Sequence, residues 1–217
     1  MTKTLTPEDL RDESQFELLT EVSHQHLREF VVELIVLEKR IIRIYSIYQV
    51  VMMLLFTFFL TRGIVLSFKG QHEFIIQIAF AIVFSLSALI VIHELLHALA
   101  YLAIGARRIS FGSVLRKFIF YAIADRQVIN SRAFHVVALT PFLVVKIVCL
   151  LGIIHYYGDQ LAYFFLTVMC LHSLFCAGDI AMLAFYKFHD GKEIYNFDDK
   201  SQGKTYFYAR KSVASNQ

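Results

Sequence analysis

Between residues 88 and 102 the chain reads ALIVIHELLHALAYL, an apolar run broken by two histidines and a glutamate. Ionisable groups in such a run are costly, and where they occur they mark function. His93, Glu94 and His97 follow the pattern HExxH. On a helix, residues four apart stand one turn apart on the same face, so the two imidazoles can grip one zinc ion. The glutamate between them reaches a water on that ion and can act as general base. Zinc draws the pKa of such a water toward about 7, which makes hydroxide available at neutral pH. The expected chemistry is metal-assisted hydrolysis, with His93 and His97 as ligands and Glu94 as the catalytic base.

A catalytic zinc needs a further protein ligand and one position left for water. Asp179, in HSLFCAGDIAML, is a carboxylate inside another apolar segment. At about 1.5 Å per residue, His97 and His93 lie about 10 and 15 Å from the end of their segment at Ile104, and Asp179 lies about 10 Å from the end of its own at Tyr186. The depths agree, and Gly178 beside Asp179 permits close helix approach. Asp179 is therefore the expected third ligand. The competing expectation is a structural ion pair between Asp179 and Lys146. Lys146 stands in the middle of ALTPFLVVKIVCLLGIIHYY, where it would pair with Asp179, stabilise an oxyanion, or simply hold helices together. Pro141 should kink that segment near the depth of the histidines. His172 and Cys176 share a helix face with Asp179, but His172 is about 10 Å further along the axis, too far to join the same ion without a helix break. It either contacts substrate or hydrogen-bonds within the bundle.

The elements that must position these groups are membrane spans. The chain has 217 residues, 57% of them hydrophobic and 18% charged, too apolar for an ordinary soluble domain. Crossing a bilayer takes about 20 apolar residues. Four segments qualify, from about Ile44 to Phe68, Phe74 to Ile104, Phe134 to Tyr157 and Gln160 to Tyr186. Cys149, Cys170 and Cys176 all lie in apolar segments and read as buried free thiols rather than a disulfide framework. The expected fold is a mainly α membrane protein of about four transmembrane helices. RISFGSV and KFIFYAIA are rich in β-formers and predict a short hairpin between spans two and three, which either caps the bundle or offers an edge to an extended peptide.

Charge placement orients the spans. Six Lys or Arg precede span one (Lys3, Arg11, Arg28, Lys39, Arg40, Arg43), and six lie between spans two and three (Arg107, Arg108, Arg116, Lys117, Arg126, Arg132). Six more lie in the tail, two between spans one and two (Arg62, Lys69), and none in YYGDQ. This predicts a multi-pass protein of the cell membrane with both termini and the hairpin in the cytoplasm. Three parts are expected: a cytoplasmic N-terminal segment over residues 1–43, a four-span zinc-peptidase-like unit over 44–187, and a cytoplasmic tail over 188–217. Within the first, HLREFVVELIVLEKRIIRIY reads as an amphipathic helix that lies on the cytoplasmic face or packs against the bundle. Residues 1–15 and 200–217 read as polar, flexible ends. The net charge of +3 gives no sign of a nucleic-acid partner.

HELLHALAYLAIGA, then FYAIADRQVINSRAFHVVALTPFLV, then CAGDIAML, in that order, resemble a family of membrane zincin peptidases, itself similar in logic to the site-2 zinc intramembrane proteases. The resemblance covers roughly residues 70–187. It implies a zinc metallopeptidase in which zinc is held by His93, His97 and Asp179 and Glu94 is catalytic, acting on a membrane protein or peptide beside the lipid bilayer. The other class compatible with the same residues is a non-catalytic membrane protein that binds or transports a metal ion. The sequence does not identify the substrate or the oligomeric state.

Overall fold

The computed structural model describes residues 5–37, 39–114, 119–189 and 191–211. In chain order they form α1 (Pro7–Leu10), β1 (Phe16–Ser23), α2 (Leu27–Leu37), α3 (Lys39–Phe68), α4 (Glu73–Ser85), α5 (Ala88–Ala103), β2 (Ile109–Val114), β3 (Ile119–Ala124), β4 (Ile129–Asn130), α6 (Ser131–His155), α7 (Leu161–Phe175), α8 (Ala177–Phe188), β5 (Ile194–Asp199) and β6 (Lys204–Arg210). Lys3, Arg116 and Lys117 of the charge pattern above, and Glu38 of the amphipathic stretch, lie outside the described residues.

Two helices, Arg40–Phe68 and Ser131–His155, are long and apolar enough to cross a membrane alone. The total reaches four if α4 with α5, and α7 with α8, each count as one bent span. Only 6% of the apolar window of α3 is buried, and Ile44, Leu54, Phe58 and Phe68 are exposed along it. An apolar surface of that extent calls for lipid rather than water around it.

Spans two and four were expected to be continuous, and both are broken. The bend between α4 and α5 is 49°, and that between α7 and α8 is 44°. At the first, Ser87 leaves helical geometry (φ −128°, ψ −89°) and its hydroxyl donates to the Val83 carbonyl at 2.6 Å. At the second, Ala177, Gly178 and Asp179 begin a new helix after Cys176. Gly178 weakens continuation through this point, and Asp179 in the new first turn meets the positive end of the α8 dipole. Ser173, one turn before the break, presents its carbonyl to Gln49 Nε2 at 2.6 Å and to the Tyr45 hydroxyl. Hydropathy runs unchanged through both bends, so composition could not reveal them.

The bundle core joins Met52 of α3, Ala81 of α4, Leu89 of α5, Val145 and Cys149 of α6, and Leu166, Val168, Met169 and Cys170 of α7. Gly152 lets α6 approach α7, since a Cβ there would sit 2.5 Å from the Phe165 ring. All three cysteines are free and buried.

A four-stranded antiparallel sheet in the order β1-β6-β5-β4 lies against one end of the bundle. Residues 204–210 are thus a strand and not a flexible end. KTYFYAR alternates aromatic side chains between two faces. Tyr206 and Tyr208 pack with Leu10, Phe16, Tyr195 and Phe197. Phe207, fully buried, faces the other way onto Phe185 and Tyr186 of α8. The same cluster takes Leu27, Phe30 and Leu34, so α2 packs against α8 and the sheet. β2 and β3 pair from Ile109 opposite Ala124 to Val114 opposite Ile119. The Tyr121 ring lies over Gly112, where a Cβ would come within 2.4 Å of it.

Candidate metal centre

HELLH lies in the middle of α5. Leu89, His93, His97, Ala100 and Tyr101 are its buried face, at the helical spacing that turns both histidines inward. Asp179 reaches the same point from the first turn of α8. His93 Nε2 lies 3.1 Å from His97 Nε2, and the two carboxylate oxygens of Asp179 lie 3.3 Å from these nitrogens, Oδ2 facing His93 and Oδ1 facing His97. The three groups therefore converge as the sequence depths anticipated.

The donor set fits zinc. Bond lengths of 2.0–2.2 Å in a tetrahedron place neighbouring ligand atoms about 3.3–3.6 Å apart; one Asp179 oxygen approaches each imidazole at 3.3 Å, and the two imidazole nitrogens stand slightly closer, at 3.1 Å. His97 Nδ1 donates to the Val137 carbonyl at 3.0 Å, which leaves its Nε2 as a bare lone pair aimed at the centre. Asp179 Oδ2 is buried and, despite its proximity to His93, has no hydrogen-bond partner. A buried acceptor so placed is what a cation would satisfy.

His172 hydrogen-bonds within the bundle, one of the two roles expected of it, and its partner is a histidine of the metal centre. Because the helix breaks at Cys176, its ring turns toward α5, and its Nε2 lies 3.1 Å from His93 Nδ1. With His93 Nε2 directed at the centre, Nδ1–H donates to His172 Nε2, and His172 Nδ1 lies 3.6 Å from Cys176 Sγ. His172 thus fixes the orientation of His93, as Val137 does for His97. His93, His172 and Cys176 form a second, overlapping donor set through the other nitrogen of His93.

Lys146 does not pair with Asp179. Its Nζ donates to the Met169 carbonyl at 2.5 Å and lies over the Tyr48 and Phe142 rings, 5.3 and 5.6 Å from their centroids. Asp179 instead faces the two histidines.

Glu94 is one residue from His93 and so points to a different side of α5. It lines a cavity of about 330 Å³ together with His97 and Asp179. Its Oε2 is buried without a hydrogen-bond partner. The Ala122 backbone N–H of β3 donates to its carboxylate. A base with a free oxygen, beside two of the donors and facing a cavity, is placed to take a proton from a water there.

Residues 86–192 match a family described as "Putative zincin peptidase".

That stretch runs from the α4–α5 bend through HELLH, the hairpin and α6 to the end of α8, and so contains all three donors and Glu94. The match supports a metallopeptidase, and zinc is the cofactor such a family implies. No curated protein and no solved structure matches the chain.

The rest of the cavity wall lies partly within the stretch that carries the family resemblance and partly outside every motif. Tyr121 and Ala122 come from β3, Val137 and Ala138 from α6, and His24, Asn196, Asp198 and Thr205 from the two terminal segments. None of the terminal residues carries a motif. Only the pairing of β1, β5 and β6 brings them to the centre.

Proposed function

We propose that the protein is a membrane-embedded zinc metalloprotease that hydrolyses peptide bonds within or near the membrane. The observation that carries this reading is the convergence of His93, His97 and Asp179, with nitrogen and oxygen atoms within 3.3 Å of one another, and the unpartnered Glu94 oxygen beside them. Zinc, when bound, would supply a Lewis acid for the scissile carbonyl and acidify the attacking water. His93, His97 and Asp179 hold the ion. Val137 and His172 hold the two imidazoles in register. Glu94 takes the proton of the attacking water and returns it to the leaving amine. The apolar cavity walls limit competing water, and the β2–β3 edge beside Glu94 is suited to keep a substrate segment extended. The Lys and Arg distribution supports a cytoplasmic location for this mouth, for both termini and for the hairpin.

Glu94→Gln tests the reading. It keeps side-chain size and removes the base. Zinc content by elemental analysis and thermal stability should be retained. Cleavage of single-span substrates by the detergent-purified protein should fall by on the order of 10²–10⁴. Full cleavage by the variant would overturn the mechanism. Loss of zinc together with activity would shift the reading to a metal-binding or metal-transport protein.

A further inference from the structure

The cavity that contains Glu94, His97 and Asp179 continues to a second polar group at the terminal sheet. Asp198 of β5 and Thr205 of β6 are cross-strand neighbours, and the Thr205 hydroxyl donates to Asp198 Oδ1 at 2.5 Å. His24, just after β1, lies with Nε2 3.2 Å from Thr205 Oγ1 and 3.8 Å from Asp198 Oδ1. Its ring stacks obliquely against Tyr121 at 5.0 Å, which ties the cluster to the hairpin. All three polar residues are less than 10% exposed. Tyr101 lines the same cavity within electrostatic reach of Asp198, Asp179 and Glu94.

Asp198 is a buried carboxylate whose single ion-pair neighbour is an imidazole, and no Lys or Arg side chain forms an ion pair with it, among the described residues. A buried charge without a full counter-charge is expensive. Arg28 borders the cavity but is exposed at its rim. Apart from its polar groups the cavity wall is largely apolar, with Leu27, Val31, Phe134, Met182 and Phe207 among its residues. An apolar cavity with a carboxylate in its wall matches a side chain with an aliphatic stem and a cationic head.

We infer that this end of the cavity is a specificity subsite for a lysine or arginine side chain of the substrate, with Asp198 as its anion and His24 and Thr205 holding that anion in place. The inference rests on the peptidase reading above and names what that site prefers. It agrees with where such residues occur, because membrane spans carry Lys and Arg at their cytoplasmic ends. A substrate cut near that end presents a basic residue close to the scissile bond.

The probes are N-blocked hydroxamates carrying the variable side chain on either the N-terminal or the C-terminal side of the zinc-binding group. Each is made as a lysine and norleucine pair, and binding to the zinc-loaded, detergent-solubilised full chain is measured by calorimetry. In one of the two pairs the lysine member should bind at least about tenfold more tightly, the worth of one charge-assisted contact. Asp198→Asn should bring that pair to within about twofold, with zinc content and melting temperature recorded as controls for folding. A lysine preference that a folded Asp198→Asn retains overturns Asp198 as its anion. Equal binding within both pairs, or a norleucine preference, overturns the subsite and leaves the peptidase reading standing. Absence of binding by all four hydroxamates at full zinc content overturns both.

Discussion

Pro141 leaves free the carbonyl that orients His97. Proline has no N–H, so Val137, four residues earlier in α6, lacks its helical donor, and His97 Nδ1 takes that place at 3.0 Å. A residue that breaks the hydrogen-bond ladder of one span thereby fixes a metal ligand on another. Pro141→Ala restores a competing N–H. Zinc affinity, measured against a competing chelator, should fall by about 10-fold or more, the usual cost of losing such an outer contact. Unchanged affinity would mean that the Val137 oxygen serves both donors equally well.

His172 holds His93 by a hydrogen bond, and in the proposed zinc site it would stand outside the ligand set. His172→Phe removes the acceptor and keeps a ring. Zinc should remain at one per chain but bind about 10–100-fold more weakly, and His172→Gln should recover part of the loss. The cobalt-substituted protein should lack a thiolate charge-transfer band. Such a band would place Cys176 on the metal and favour the overlapping set of His93, His172 and Cys176.

Asp179 has a stronger role. Asp179→Ala should lose most of the zinc. Chelation of the wild-type protein should lower its melting temperature, since an ion present at 1,000 times its dissociation constant contributes about 4 kcal/mol to the folded state. Full zinc and full activity in Asp179→Ala would remove it from the ligand set.

Gly152 governs the seam between α6 and α7. Gly152→Val forces side-chain atoms into the Phe165 ring, 2.5 Å from the position of the first added carbon. The expected destabilisation is about 1–3 kcal/mol, read from thermal or denaturant unfolding in detergent. No change in stability would show that the helices separate freely there.

Orientation is open to a direct test. Reporters fused at Gly70 and Asp159 should signal from outside the cytoplasm, and one at Gly191 from within it. An outside signal at Gly191 would sink the four-span reading.

The centre was legible because its chemistry is local or follows a simple rule. His93, Glu94 and His97 share one helical turn, and Asp179 followed from counting rise per residue along a second span. Depth left Lys146 open between three roles. Depth alone does not fix azimuth, and its amine turns to Met169 and two rings instead of to Asp179. A hydrogen bond of His172 within the bundle was legible, but its partner His93 was not, because hydropathy does not register the bend at Cys176. The terminal strands were harder still. KTYFYAR has only a short alternation among charged neighbours, and its partners lie near the other end of the chain, so nothing local distinguishes it from a solvated tail.

That long-range pairing also sets an order of events during synthesis. Ser23 pairs with Lys204, so β1 leaves the ribosome about 180 residues before its partner strand. At translation rates of about 5–20 residues per second, that gap lasts on the order of ten seconds or more. Once synthesis has passed Asp179, the chain carries His93, Glu94, His97 and Asp179 while Asn196, Asp198 and Thr205 are still unmade. The last part of the cavity wall is therefore added after the candidate metal donors and base, so a chain that stops short of β5 would present those groups without the polar end of their cavity.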